Sequence, residues 1–426
     1  MRIKQYLREK KYRFLYRIFC FLRQFEWKKL KEKHIPIKGD GGLFVIPCDP
    51  WSLTGSRGDE AMLMVLEQRF PNMPYHVVTT TPMAEKSALA HGWIPEPCWV
   101  EKNLLKSVFE TVTHIQPSVC AVLGADVMDG YYSPESSIAF WALADIMAFH
   151  GIPTSLLGFS FNSRPHPKVL NALKKMDSSF VYQLRDPLSL KRFEFLTGKS
   201  GKLVADVAFL LEPDKGTSYF EELCKWKHTE GRHIFAVNLH PMLIKHASCK
   251  QIDQMITSLH TVLDLILETT DWNILLLPHD DRGKVNDNIC LTPLHERLIE
   301  KWRHRVRHLP DVLDAAKLKG IVSLADALIT SRMHLGIAGL SQGIPTMGFS
   351  YQEKFQGMVQ HFGLDDQFIL PLPQPENNDI IIQHIRWMFD NVEKIHQRLL
   401  DRLPNVLALA KRNFDSFKYI SKDMMV

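Results

Sequence analysis

Arg332 and His334, two residues apart, and Lys354 a little further on are the residues whose types and spacing point most directly to chemistry. Cations placed this closely repel one another unless a carboxylate or a bound anion compensates them. The apolar run Ala327-Leu328-Ile329 reads as a buried strand, and Ser331, Arg332 and His334 follow at its carboxyl end, where open α/β sheets hold their ligands. Gly336-Ile337-Ala338-Gly339-Leu340 then reads as a short helix whose small residues let it lie close to the sheet. Its first turn offers free backbone N–H groups and the positive end of the helix dipole, both of which favour phosphate or carboxylate. Ile344 to Phe349 forms the next strand and delivers Lys354 to the same edge. Such a place suits a small, multiply charged anion. The plainer alternative is a set of surface or capping residues.

Other candidates lie at other predicted strand ends. Thr54-Gly55-Ser56-Arg57-Gly58-Asp59 is a glycine turn entering a helix; Gly55, Gly58 and Asp59 are candidate ligand contacts, and Asp59 is equally an ordinary acidic residue of a first helical turn. Arg185 ends another strand and has Asp186 beside it as a structural ion-pair partner. Asn238 ends a strand with an amide able to hold a phosphate, or simply to make a turn. His279-Asp280-Asp281-Arg282 either lines a ligand cleft or forms a polar surface loop.

Taken in order, Thr54 to Ala61, Leu184-Arg185-Asp186-Pro187-Leu188-Ser189, Asp206-Val207-Ala208-Phe209 and Ser331-Arg332-Met333-His334 with Tyr351-Gln352-Glu353-Lys354 behind it resemble the motifs of the polysaccharide pyruvyl transferase family. Two departures stand out. The asparagine usual in the first glycine turn is absent, with Ser56-Arg57 before Gly58-Asp59, and the middle glycine cluster is reduced to Leu123-Gly124-Ala125-Asp126. The resemblance implies a GT-B-like fold of two Rossmann-like domains facing across a cleft. It implies transfer of pyruvate from phosphoenolpyruvate to a sugar of a surface polysaccharide or its lipid-linked precursor, closing a cyclic ketal. Protonation of the methylene carbon needs an acid, a role a histidine can fill and which falls here to His334. Arg332 would grip one anionic group of phosphoenolpyruvate while Lys354 and Arg185 neutralise the other, with Asn238, Gly336 and His279 as further donor contacts. Gly55, Gly58 and Asp59 fall to the acceptor side, and the chemistry as drawn needs neither a metal nor a cofactor beyond phosphoenolpyruvate as co-substrate. The competing readings are a GT-B glycosyltransferase using a nucleotide sugar, for which Glu353 is the nearby ribose-binding candidate, and a non-catalytic subunit of a polysaccharide assembly system. A dinucleotide-dependent oxidoreductase is excluded, because no G-x-G-x-x-G follows the first strand.

The elements that must position these residues alternate. Strands are expected at 42–47, 75–79, 118–123, 153–158 and 180–184, with helices at 59–70 and about 136–149. A second series follows the charged segment 212–232, with strands at 233–238 and 272–278 and helices at 252–268 and 293–303. Such alternation predicts mostly parallel sheets covered on both faces. The expected division is a basic leader over 1–35, Rossmann-like domains over 36–215 (acceptor side) and 230–378 (donor side), and helices over 379–426, the last crossing back to brace the first domain. A chain of 426 residues is long enough for two cores. Its seven cysteines, with no C-x-x-C, argue for a reducing, cytoplasmic compartment and against a disulfide framework. Residues 1–33 carry twelve Lys or Arg against three Glu, a balance of +9 in a chain of net +5, so the remainder is slightly acidic. That leader, with apolar residues on one helical face, is suited either to lying on an anionic membrane surface at the inner face of the cytoplasmic membrane or to packing on the fold. Its arginines interrupt every apolar run too early for a membrane span. Nucleic acid is disfavoured, since basic character ends with the leader.

Overall fold

The computed structural model describes residues 21–177, 180–349 and 354–417. They divide into two compact units. One holds Leu66–Asp206 with the described residues up to Leu53 and from Lys411 onward; the other holds Thr54–Val65 and Val207–Ala410.

The first unit is built on seven parallel strands: β1 (Leu43–Ile46), β2 (Tyr75–Val78), β3 (Ile94–Glu96), β4 (Val119–Ala125), β5 (Thr154–Phe159), β6 (Tyr182–Leu184) and β7 (Gly201–Leu203). Their order is β3-β2-β1-β4-β5-β6-β7. The central strands are unbroken apolar runs, and every residue of β1 and β4 is buried, as expected where helices cover both faces. One cover is the helix Pro134–Phe149, opened by the Ser133 hydroxyl accepting from Ser136 N at 3.2 Å. Its Phe140 and Trp141 are enclosed, each burial stabilising by about 1.5–3 kcal/mol.

Residues 21–30 of the leader are helical and pack on this unit. Trp27 Nε1 and Lys31 Nζ both donate to the buried Asp145 Oδ2, at 2.7 and 2.6 Å, and Arg23 Nη2 donates to the Glu101 carbonyl at 2.6 Å. The opposite side of the same helix leaves Phe21 and Phe25 exposed, at 70% and 58%. Residues 1–20 lie outside the described part. Among the described residues no helix is long and apolar enough to cross a membrane. At the other end, the segment docking on the first unit is the 3-10 turn Arg412–Phe417, after the last helix rather than the helix itself. Asn413 accepts from Gly158 N at 2.7 Å and donates to the Ala205 carbonyl at 2.8 Å.

The second unit has six parallel strands: β8 (Ile234–Val237), β9 (Asn273–Leu276), β10 (Val306–His308), β11 (Ala327–Thr330), β12 (Thr346–Phe349) and β13 (Ile369–Leu370), in the order β10-β9-β8-β11-β12-β13. β8 pairs with β11 in the register Phe235 to Ala327 and Val237 to Ile329. The chain leaves β8 toward one edge and returns at β11 to build the other, so the carboxyl ends of these two strands form a topological switch point.

Candidate functional site

Several of the predicted site residues converge on that switch point. Asn238 follows β8, His279 follows β9, and Ser331 and Arg332 follow β11. The hub among them is Asp287, fully buried, which the sequence reading did not single out. One of its carboxylate oxygens accepts from Arg332 Nε at 3.0 Å and Nη2 at 2.6 Å. The other accepts from Asn238 Nδ2 at 2.8 Å and from the His279 backbone N–H at 2.9 Å. Burial pushes the Asp287 carboxyl above its ordinary range, while Arg332 and Asn238 pull it back. Arg332 Nη1 meets a second buried carboxylate, Asp280, at 3.1 Å, which also pairs with Arg282 at 2.6 Å.

These contacts sort the residues into two sets. Asn238, wholly buried, donates to Leu277 O and Asp287 and accepts from the hydroxyls of Thr330 and Ser331, so its amide is spent on joining β8, β9 and β11. All three guanidinium nitrogens of Arg332 face internal carboxylates. His240, wholly buried, completes this layer: its Nδ1 accepts from Met242 N at 3.0 Å, so Nε2 carries the proton and donates to Ser331 O at 2.9 Å. Within the 279–282 segment His279 and Asp280 are buried, while Asp281 is exposed and Arg282 partly so.

His334 stands in front of this layer, as the second residue of the helix Met333–Leu340. Glycines set the helix's position. A Cβ on Gly339 would lie 2.5 Å from Thr346 Oγ1, and one on Gly336 would lie 2.9 Å from Phe355, so the helix sits tight against β12 and the helix Lys354–Gln360. A third glycine sets the imidazole itself: a Cβ on Gly58 would lie 2.2 Å from His334 Nδ1. Gly58 belongs to the helix Arg57–Arg69, whose first residues cluster with the second unit.

Arg57, overlooked as a candidate, is the first residue of that helix. Its backbone N–H donates to His279 O at 3.3 Å, its Nη2 donates to Asp281 at 2.8 Å and Val312 O at 3.1 Å, and its Nη1 meets Glu60 at 3.5 Å and Thr54 O. Its Nε is buried without a partner, as is His279 Nδ1. The signal was available: a cation in a first helical turn opposes the helix dipole and calls for a reason. Burial holds the His279 imidazole well below its ordinary pKa, with the charges of Arg332, His334, Arg57 and Arg282 adding to the effect, so this ring is neutral near pH 7.

Arg57, His279, His334 and Lys319 line one pocket with Ala61, Ala208, Leu211, Ala315, Leu318, Leu335 and Ala338. No carboxylate is among these residues. Its free volume of about 20 Å³ takes an oxygen or two rather than a whole three-carbon acid.

The remaining candidates lie elsewhere or fall outside the described residues. Arg185 is in the first unit, 4% exposed, donating to Asp206 at 2.9 Å and Ser160 Oγ at 2.7 Å. Its ion pair is with Asp206 and not Asp186, which instead caps the helix Pro187–Thr197 by accepting from Ser189 N. Gly55 carries the carbonyl that accepts from Asp281 N at 3.4 Å, and Asp59 is a half-buried residue of the first helical turn. The side chain of Lys354 and all of Glu353 lie outside the described residues.

The family model for polysaccharide pyruvyl transferase matches residues 57–353, a span that includes Arg57, His279, Asp287, Lys319, Arg332 and His334. The chain belongs to the polysaccharide pyruvyl transferase family. No curated protein matches its sequence. Among solved structures, this pyruvyl transferase family member is similar to a putative UDP-N-acetylglucosamine 2-epimerase from Listeria monocytogenes, with 11% identity over 89% of this chain and 96% of that one and a TM-score of 0.56. The UDP-GlcNAc 2-epimerase from Neisseria meningitidis bound to UDP-GlcNAc gives 10% identity, 88% and 99% coverage and a TM-score of 0.53. A glycosyltransferase from Rickettsia africae gives 11%, 88% and 98%, and 0.53. At these identities the likeness is one of fold, and the fold is GT-B-like: two Rossmann-like α/β domains on parallel sheets.

Proposed function

We propose that this member transfers pyruvate from phosphoenolpyruvate to two hydroxyls of one sugar, in a surface polysaccharide or its lipid-linked precursor. The observation that carries this reading is the pocket at the β8/β11 switch point, with four basic side chains, apolar walls and no carboxylate. Such a lining favours an anion and disfavours a neutral sugar or a metal cation.

In the proposed reaction one sugar hydroxyl adds its oxygen to C2 of the enol while C3 gains a proton from an acid, and the hydroxyl's own proton returns to the base so formed. The C2–O bond to phosphate then breaks, and the bonding pair leaves with phosphate. The cationic carbon so formed is captured by the second hydroxyl, whose proton passes to phosphate or water. His334 is assigned as the acid that protonates C3, and Arg57 joins Lys354 as a cation for the phosphate or carboxylate. Arg332, with Asn238 and Asp287 behind it, fixes where the His334 helix begins. The acceptor side is assigned to the glycine turn around Gly55, Gly58 and Asp59. Phe21 and Phe25, exposed on the basic leader, suit a peripheral contact with an anionic membrane carrying a lipid-linked acceptor.

The test is ligand-induced stabilisation. The unfolding midpoint should rise more with phosphoenolpyruvate than with phosphate, pyruvate or any nucleotide sugar. A rise confined to nucleotides or nucleotide sugars would instead support glycosyl transfer, the second reading, with which a fold shared with a UDP-GlcNAc-bound epimerase and a glycosyltransferase is compatible.

A further inference from the structure

Lys319 sits in the helix Ala315–Val322 and is 4% exposed. Its ammonium donates to the Leu211 carbonyl at 2.6 Å and lies 3.4 Å from the Phe209 carbonyl. Among the described residues no carboxylate lies within ion-pair distance of it. The carbonyl-bearing segment is held in place: Asp214 N donates to Ala316 O at 2.9 Å, and a Cβ on Gly320 would lie 1.9 Å from Asp214 O. A buried cation satisfied only by carbonyls is costly, and a fold that needed only a cap for two carbonyls could use a neutral amide. Two of the three ammonium N–H groups go to carbonyls, while the side chain also lines the pocket that holds Arg57, His279 and His334. Two further groups there are buried and unpartnered, Arg57 Nε and His279 Nδ1.

We infer that Lys319 is a ligand-binding residue that, with Arg57, receives one oxyanion group of the substrate in this water-sized pocket. The inference rests on the anion-donor reading above and adds to it the residue that neutralises the inserted group. Carboxylate and phosphate share the chemistry required.

Burial lowers the Lys319 pKa to about 8, with Glu212 opposing the shift. Other charged or titratable groups near it are Arg57, His279 and His334 across the pocket, Asp214 on the neighbouring segment and the buried Glu60 at the start of its own helix. A lysine of this kind is protonated below its pKa and neutral above it, so affinity for an anion is full near pH 7 and falls as pH rises through about 8.

The test is calorimetric titration of the full-length protein with phosphoenolpyruvate, with pyruvate and with sulfate, the last two keeping a constant charge between about pH 7 and about pH 9. The wild type should bind at least one probe about tenfold more weakly at the higher pH. Lys319→Met should lose about tenfold in affinity near pH 7 and lose the pH dependence, with little change in melting temperature, because removal of a buried charge without a carboxylate partner offsets the lost hydrogen bonds to Leu211 and Phe209. Lys319→Arg should keep binding at both pH values. Wild-type binding that does not weaken with pH would overturn the inference even if the Met variant failed to fold. So would a Met variant that binds like the wild type, or a wild type that takes none of the three anions. Binding of sulfate or pyruvate with these features, but no phosphoenolpyruvate turnover, would leave Lys319 as an anion ligand and sink the pyruvyl transfer reading alone.

Discussion

The contact between Gly58 and His334 makes the clearest prediction at the scale of single residues. Because a methyl group at position 58 would occupy the space of the imidazole, Gly58→Ala should displace the ring and lower kcat by tenfold or more, read in a phosphate-release assay. A variant that turns over normally would remove Gly58 from the machinery. His334→Ala should abolish turnover while leaving phosphoenolpyruvate affinity within about threefold, because an acid used in the chemical step contributes little to ground-state binding. Arg332, His334 and His279 could be picked out from sequence because strand ends in α/β folds are recognisable from apolar runs. Asp287 and Lys319 could not be, and Arg57, although a cation in a first helical turn, was passed over. Arg57 looked like a departure from a motif, Asp287 lies in a polar loop with no pattern of its own, and Lys319 sits in a short helix where it is one of two lysines among apolar residues.

At the scale of elements, the Arg332 clamp joins the segments after β9 and β11. Arg332→Met leaves Asp287 and Asp280 in the interior with fewer partners, and should cost about 3–5 kcal/mol of stability, measured by denaturant unfolding. Loss of less than about 1 kcal/mol would mean that Arg282 and Asn238 suffice. On β10, burial lowers His308 from 6.5 to about 4, with His295 adding to the shift, and burial lowers His279 in the same direction. A histidine held neutral contributes stability that is present above pH 6.5 and is lost as pH falls toward 4. Thermal midpoints should therefore drop across that window, and His308→Gln should flatten the slope, by on the order of 1 kcal/mol near pH 5. The interior strands were legible in sequence to within a few residues, since runs such as Val119–Leu123 and Ile274–Leu276 are buried on both faces. The strands missed, β3, β7, β10 and β13, are the two edges of each sheet. They are two or three residues long with polar members such as Glu96, Lys202 and Arg307, so they show neither a run nor an alternation. The helix expected from Pro293 begins at Asn288 instead, because its opening turn buries Cys290 and Leu291 ahead of the proline.

For the whole molecule, the leader offers a testable surface. Protein should sediment with vesicles containing anionic lipid and be released near about 0.5 M salt, and replacing Phe21 and Phe25 by Ser should reduce the bound fraction severalfold. Retention unchanged by either treatment would leave the leader a packing element only, as Arg23, Trp27 and Lys31 already are. One feature of the second unit bears on the life of the chain before it ever meets a substrate. Thr54–Val65 belongs with residues beyond Val207, so Arg57 reaches Asp281 across 224 positions and Glu60 reaches Ala315 across 255. During synthesis those early residues must wait for these partners until three of the six strands of the later sheet have emerged, and closing loops of that length is entropically slow. In refolding experiments, recovery of helical ellipticity should therefore run ahead of recovery of anion binding, making assembly of the pocket a late checkpoint on the maturity of the protein.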